Sequence, residues 1–235
     1  MSNNKSLLTP SPLNPTFRPD VIQSLIDGVD RYNPDNVSIL EEYLSTQLQN
    51  EEYDLMANLA ILKLYQFNPH LVNDVVISNI LVKALTAIPN PDFNLCLYLL
   101  QEGSLSDDNV SKLILLQQLL EEARYQEFWE VYEKDDTYKD LSMEAVGFDT
   151  AIRKVILTAI CMAYQTISVD LLRTYLNYPK GDTKFETFIQ SQGLTTKDDV
   201  IIINTNYDNE AKPTVIRENI KFEQLTKVIG YSNEL

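Results

Sequence analysis

The sequence is poor in the residues on which catalytic, metal-bound and exported proteins most often depend. Its 235 residues include only two cysteines, Cys96 and Cys161, and one histidine, His70. Both cysteines lie inside apolar helical stretches, where a thiol serves as a small buried hydrophobe, so neither a disulfide framework nor a thiolate metal site is expected. No two Cys or His residues have ligand spacing, and His70 has no Cys or Ser nucleophile beside it. The six glycines, at 28, 103, 147, 181, 193 and 230, all stand alone, which excludes a glycine-rich loop that cradles phosphate. The longest apolar run, Val155 to Tyr164, reaches about half of the roughly 20 residues that a membrane span requires. Near the start only Leu7 and Leu8 are apolar, too few for a signal-peptide centre. A reducing, cytoplasmic setting without membrane insertion, cofactor or metal is therefore expected.

Positive charge is also scarce. The chain holds 19 Lys and Arg against 34 Asp and Glu, a formal net charge of -15. From Met1 to Thr150 there are 24 acidic and 9 basic residues, and from Ala151 to Leu235 there are 10 of each, so the whole excess lies in the first part. A surface this negative repels phosphate and gains nothing from counterion release, which argues against direct nucleic-acid binding and for basic partners.

What is abundant is helical patterning, since 44% of the residues are hydrophobic and a sizeable core is available. Residues 1–20 carry Pro10, Pro12, Pro15 and Pro19 among Ser, Thr and Asn without periodicity, and are expected to be a disordered tail. Val21, Ile22, Leu25, Ile26 and Val29 then form one helical stripe. Asn33-Pro34-Asp35, Asn68-Pro69 and Asn90-Pro91-Asp92 each place a capping Asn before a Pro at the first helical position. The segments they delimit read as helices over roughly 34–49, 52–66, 69–86, 91–101 and 107–122. Short connections between amphipathic helices imply antiparallel neighbours, and the irregular spacing predicts a HEAT-like stack of helical hairpins over 21–147.

The acidic stretch Glu130 to Glu144, closed by Gly147, reads as a loop or frayed turn. A bridging helix is predicted over 148–167, with Phe148, Ile152, Val155, Ile156, Ala159, Ala163 and Ile167 in one stripe. Residues 168–230 then offer two short helices, Val169 to Leu176 and Thr183 to Gln192. After them come a β-branched run at Val200 to Ile203, a polar turn from Asn204 to Lys212 and a second extended piece at Thr214 to Ile216. Three helices followed by a β-hairpin describe a winged helix. The last helix, bearing Phe222, Leu225, Val228 and Ile229, is expected to pack beside it, with 231–235 as a short tail. The predicted class is mostly α: a helical-hairpin stack followed by a winged-helix domain with a small β-hairpin.

Carboxylate pairs such as Glu41-Glu42 and Asp135-Asp136 read as a solvated face, so no enzyme is expected. The winged helix raises an alternative, a nucleic-acid reader, yet Lys184 faces Asp182 and Glu186, and Lys212 faces Asp208 and Glu210. Two surfaces are candidates for protein contact. Val200, Ile201, Ile202 and Ile203 lie in a small sheet whose edge a partner strand could extend, or are buried against their own helices. Phe128 and Trp129 are adjacent on a helix and cannot share one face completely, which makes Trp129 a candidate anchor, core packing being the other reading.

Two stretches are distinctive: Gly28-Val-Asp-Arg-Tyr-Asn-Pro-Asp-Asn36 and Tyr53-Asp-Leu-Met-Ala-Asn-Leu-Ala-Ile-Leu-Lys-Leu-Tyr-Gln-Phe-Asn-Pro69. With Leu81 to Thr86, Asp92 to Cys96, Phe128-Trp129, Gly147-Phe148, Arg153-Lys154 and Tyr164-Gln165, they make residues 21–230 resemble the K-subunit family of eukaryotic translation initiation factor 3. That family is related to the PCI modules of the proteasome lid and the signalosome. The resemblance implies a HEAT-like domain followed by a winged helix in a non-catalytic subunit. Its implied partners are other initiation factor 3 subunits, above all subunit L, and through the complex the small ribosomal subunit. The Pro-rich leader and the acidic loops depart from the family pattern.

Overall fold

The computed structural model describes residues 11–211 and 221–232. Its helices in chain order are α1 (Asp20–Asp27), α2 (Val37–Gln49), α3 (Leu55–Phe67), α4 (Asp74–Leu85), α5 (Asp92–Leu97), α6 (Glu102–Leu105), α7 (Asp108–Glu121), α8 (Tyr125–Lys134), α9 (Asp136–Ser142) and α10 (Phe148–Ala163). Strand β1 (Thr166–Ser168), helices α11 (Val169–Tyr175) and α12 (Thr183–Ser191), strands β2 (Thr195–Lys197) and β3 (Val200–Ile202), and α13 (Phe222–Ser232) follow.

The first nine helices stack around α4, in which every residue from Ile77 to Leu85 is buried. Caps set most boundaries. Asp54 accepts from the Ala57 amide at the start of α3, and Asp107 from the Asn109 and Val110 amides at the start of α7. Asn33 caps a single 3-10 turn, Pro34–Asn36, that leads into α2. The Asn-Pro device is displaced at its second and third occurrences. Asn68 closes α3 by donating its side-chain amide to the Leu64 carbonyl at 2.9 Å, and Asn73 caps α4 by accepting from the Val75 amide. At the third, α5 is one short helix, and residues 98–101 turn before α6.

Residues 130–144 are not a loop. Tyr125, Phe128, Trp129 and Tyr132 recur at three- and four-residue steps and are all buried, so α8 is an amphipathic helix whose outer face carries Glu127, Glu130 and Glu133. Asp135 then caps α9 by accepting from the Thr137 amide at 2.9 Å. The acidic residues that read as a loop are the solvated side of these two helices.

Residues 11–19 are likewise no disordered tail, because they lie against the stack. The Arg18 guanidinium places Nε and Nη2 each 2.6 Å from the two carboxylate oxygens of Asp54, with both side chains almost wholly buried. Nη2 also donates to the Leu13 carbonyl within the arm and Nη1 to Gln23 of α1, so the Asp54 pair is the link that ties the arm to the α2–α3 hairpin.

The winged helix comprises α10, β1, α11, α12, β2 and β3, and its sheet runs β1-β3-β2 with both pairs antiparallel. Two details differ from the sequence reading. Helix α10 ends at Ala163, because Tyr164 is extended (φ -118, ψ 149), and Ile167 belongs to β1. The hairpin partner of β3 precedes it in the chain. The turn is Asp198-Asp199, with φ of 45 and 65, the left-handed pair that a two-residue hairpin needs. The piece at Thr214 to Ile216 lies outside the described residues. Within the segment read as the wing, Asn206 and Asn209 donate side-chain amides to the Cys161 carbonyl at 2.9 and 3.1 Å, closing the end of α10.

Candidate protein interface

Helix α8 brings Trp129 to the junction of the stack and the winged helix. Its indole Nε1 donates to the Tyr175 carbonyl at 2.9 Å, and Phe128 meets it edge-on at 5.1 Å. Arg153 of α10 lies over the Trp129 ring at 5.1 Å and over Tyr178 at 4.6 Å, and its Nε donates to the Leu176 carbonyl. Tyr125 packs against Tyr175 in the same seam. Trp129 is 3% exposed, so it is an internal anchor between the two parts of the chain and offers no open face to a partner.

The strand route is closed for a topological reason. β3 is the middle strand, hydrogen-bonded on both sides, so the row of backbone groups at Val200 to Ile202 has no edge. Ile201 and Ile203 are buried and Val200 half-buried, and of the run only Ile202 stands exposed, at 40%. The sequence pattern concealed this, because β2 reads Thr195-Thr196-Lys197, an exposed polar strand without a hydrophobic signal.

Among the described residues an exposed apolar stripe lies elsewhere. In α13, Phe222, Leu225 and Ile229 share one stripe with Val228 beside it, and no residue of the helix is buried. Phe222 is 74% exposed and Val228 66%. The sequence located this stripe correctly but assigned it a place beside the winged helix, where the structure does not bury it.

In the cleft of about 700 Å³ beside the seam, the Tyr132 hydroxyl meets Ser142 at 2.7 Å and Asp149 at 3.1 Å. Burial pushes the Cys96 thiol up to about 12 and the Cys161 thiol up to about 11, which keeps both protonated and unreactive near neutral pH. His70 is exposed on the turn before α4. Among the described residues no group of three or more His, Cys, Asp or Glu could hold a metal ion, and no helix is long and apolar enough to cross a membrane.

Relatives place this architecture. A model of the CSN8/PSMD8/EIF3K family matches residues 71–215. Eukaryotic translation initiation factor 3 subunit K of Botryotinia fuckeliana (strain B05.10) is 41% identical, covering 92% of this chain and 95% of the relative. The proteins of the same description from Phaeosphaeria nodorum and Yarrowia lipolytica (strain CLIB 122 / E 150) are 42% and 35% identical, covering 92% and 94% of this chain and 95% and 97% of those relatives. The chain belongs to the initiation factor 3 subunit K family.

In this subunit K family member the third winged-helix helix has no basic face. The exposed charges of α12 are Lys184 and Glu186, of opposite sign, and Arg173 sits 3.8 Å from Glu186. The hairpin turn presents Asp198 and Asp199 after Lys197. Neither element supplies the several cationic contacts that a phosphate backbone requires, so the winged helix gives the nucleic-acid alternative no support.

Proposed function

We propose that this chain is a non-catalytic scaffold subunit of eukaryotic translation initiation factor 3 and acts in translation initiation through protein-protein contacts. The observation that carries the reading is the set of relatives named initiation factor 3 subunit K, matched over more than nine-tenths of this chain. Within the assembly, subunit L is the closest partner, the small ribosomal subunit is reached through the complex, and the setting is cytoplasmic. In this reading residues 21–147 form the helical platform, α10 joins it to the rest of the winged helix as that module's first helix, and the chain from 168 onward carries the docking elements.

α13 supports the reading physically. An isolated helix shorter than about 12–15 residues is marginal in water, and Gly230 lowers the propensity of this one further by about 1 kcal/mol relative to Ala. A neighbouring subunit that covers Phe222, Leu225, Val228 and Ile229 supplies the burial that the described residues of the chain do not. Charge agrees, because the acidic first part suits basic neighbours better than nucleic acid.

The test is recovery of the affinity-tagged full chain from its native cells at physiological salt. The reading expects other initiation factor 3 subunits in comparable amounts. Recovery with none of them overturns it.

A further inference from the structure

The described part of the N-terminal arm has two polar anchors of unequal strength, with Pro15 buried between them. At residue 18 the anchor is the buried pair with Asp54, reinforced by Gln23 and the Leu13 carbonyl. At the other end it is a hydroxyl, with Ser11 Oγ donating to the Asp92 carboxylate at 2.5 Å and the Asn90 side-chain amide 3.5 Å away. Asp92 is buried at the start of α5, whereas Ser11 is half-buried and Pro12, Leu13 and Asn14 are exposed. The hydroxyl is the weaker of the two anchors, so the exposed stretch from Pro12 to Asn14 opens locally at lower cost than the end held by buried Pro15 and Arg18.

Ser11 is followed by Pro12, which has a fixed φ and no backbone N–H. Proline also keeps the residue before it extended, the backbone form that a kinase cleft accepts. We propose that Ser11 is a phosphorylation site for a proline-directed serine/threonine kinase and that the modification releases the arm from the helical stack. In the transfer Ser11 Oγ attacks the γ-phosphorus of ATP. The new O–P bond forms as the bond to the departing ADP oxygen breaks, and the hydroxyl proton passes to the kinase's base. Two effects then act together at Asp92. The oxygen that donated a hydrogen bond becomes an ester oxygen with no hydrogen to give. A phosphate of charge about -2 arrives beside a buried carboxylate, where like charges repel and desolvation magnifies the cost. Arg18 keeps its own partner, so release is confined to the arm and leaves the α2–α3 hairpin folded.

The experiment uses the full chain with its Ser11→Ala, Ser11→Glu and Thr9→Ala variants, a proline-directed kinase and Mg-ATP, read by peptide mass mapping and amide hydrogen exchange. Phosphate is expected at Ser11, absent in Ser11→Ala and retained in Thr9→Ala. In the phosphorylated protein, and in Ser11→Glu without any kinase, the amides from Leu13 to Phe17 should exchange roughly tenfold faster, the size set by losing a hydrogen bond to a charged group, while that of Arg18, which donates to the Pro15 carbonyl beside the retained Asp54 anchor, should not. Those of α2 and α3 should not change. The proposal is overturned if a peptide of the same arm is phosphorylated while Ser11 in the folded chain is not. It is equally overturned if the modified or Ser11→Glu protein keeps the arm as protected as before.

Discussion

Helices α8 and α13 carry the same kind of pattern and meet opposite fates. α8 sets Tyr125, Phe128, Trp129 and Tyr132 along one side, and all four are buried; α13 sets Phe222, Leu225, Val228 and Ile229 along one side, and none is. Periodicity reports that an apolar stripe exists and where it lies on the helix. What covers the stripe depends on which elements the chain folds against it. For α8 these are α7, α9 and α11, and for α13 we assign that place to another subunit. The contrast separates what holds this chain together from what it offers to others.

The largest effect should come from the covered stripe. Trp129→Ala removes the indole from between Phe128 and Arg153 and leaves the Tyr175 carbonyl without its donor. A loss of about 3–5 kcal/mol is expected in chemical denaturation. A loss below about 1 kcal/mol would mean that the seam is not a packed interface.

A smaller effect should appear in α4, which is covered all round from Ile77 to Leu85. Burial pushes the Lys83 ammonium down to about 8, against a weaker opposing pull from Glu51 and Glu52. Its Nζ donates to the Gln47 carbonyl at 3.3 Å. Between that value and the ordinary lysine range the folded chain binds fewer protons than the unfolded one, so stability gains as pH rises through this window, and below it the cost of burying the charge is constant. The melting temperature of the wild type relative to Lys83→Met should therefore rise from about pH 7 to about pH 9.5, short of the range where tyrosines ionise. A flat difference would show that the amine is not buried in the folded chain.

The legible part of the fold was the part marked by local chemistry. A stripe placed α1 and another α10, and the Asn-Pro marks delimited the segments that hold α2, α3, α4 and α7. Gly193, with φ of 70, ends α12 as a C-terminal cap should. What escaped notice was non-local or masked by polarity. Arg18 and Asp54 are 36 residues apart, and nothing in a proline-rich leader announces a buried guanidinium. α8 and α9 were hidden by their own acidic outer faces. β2 is too polar to read as a strand, so the strand that it covers looked like an edge. The candidate residues were legible only as apolar ones: Trp129 and Ile201 are internal, whereas the α13 stripe, recognised as helical and expected beside the winged helix, is exposed among the described residues.

The smallest expected change in stability carries the most information. Leu225→Asp combined with Val228→Asp in the full chain should leave the unfolding free energy unaltered, within about 0.5 kcal/mol, because both side chains are exposed among the described residues. Co-purification of the other initiation factor 3 subunits with the tagged variant should fall to background. Subunits recovered at wild-type levels with a normally folded double variant would contradict the assignment of α13 as a docking element.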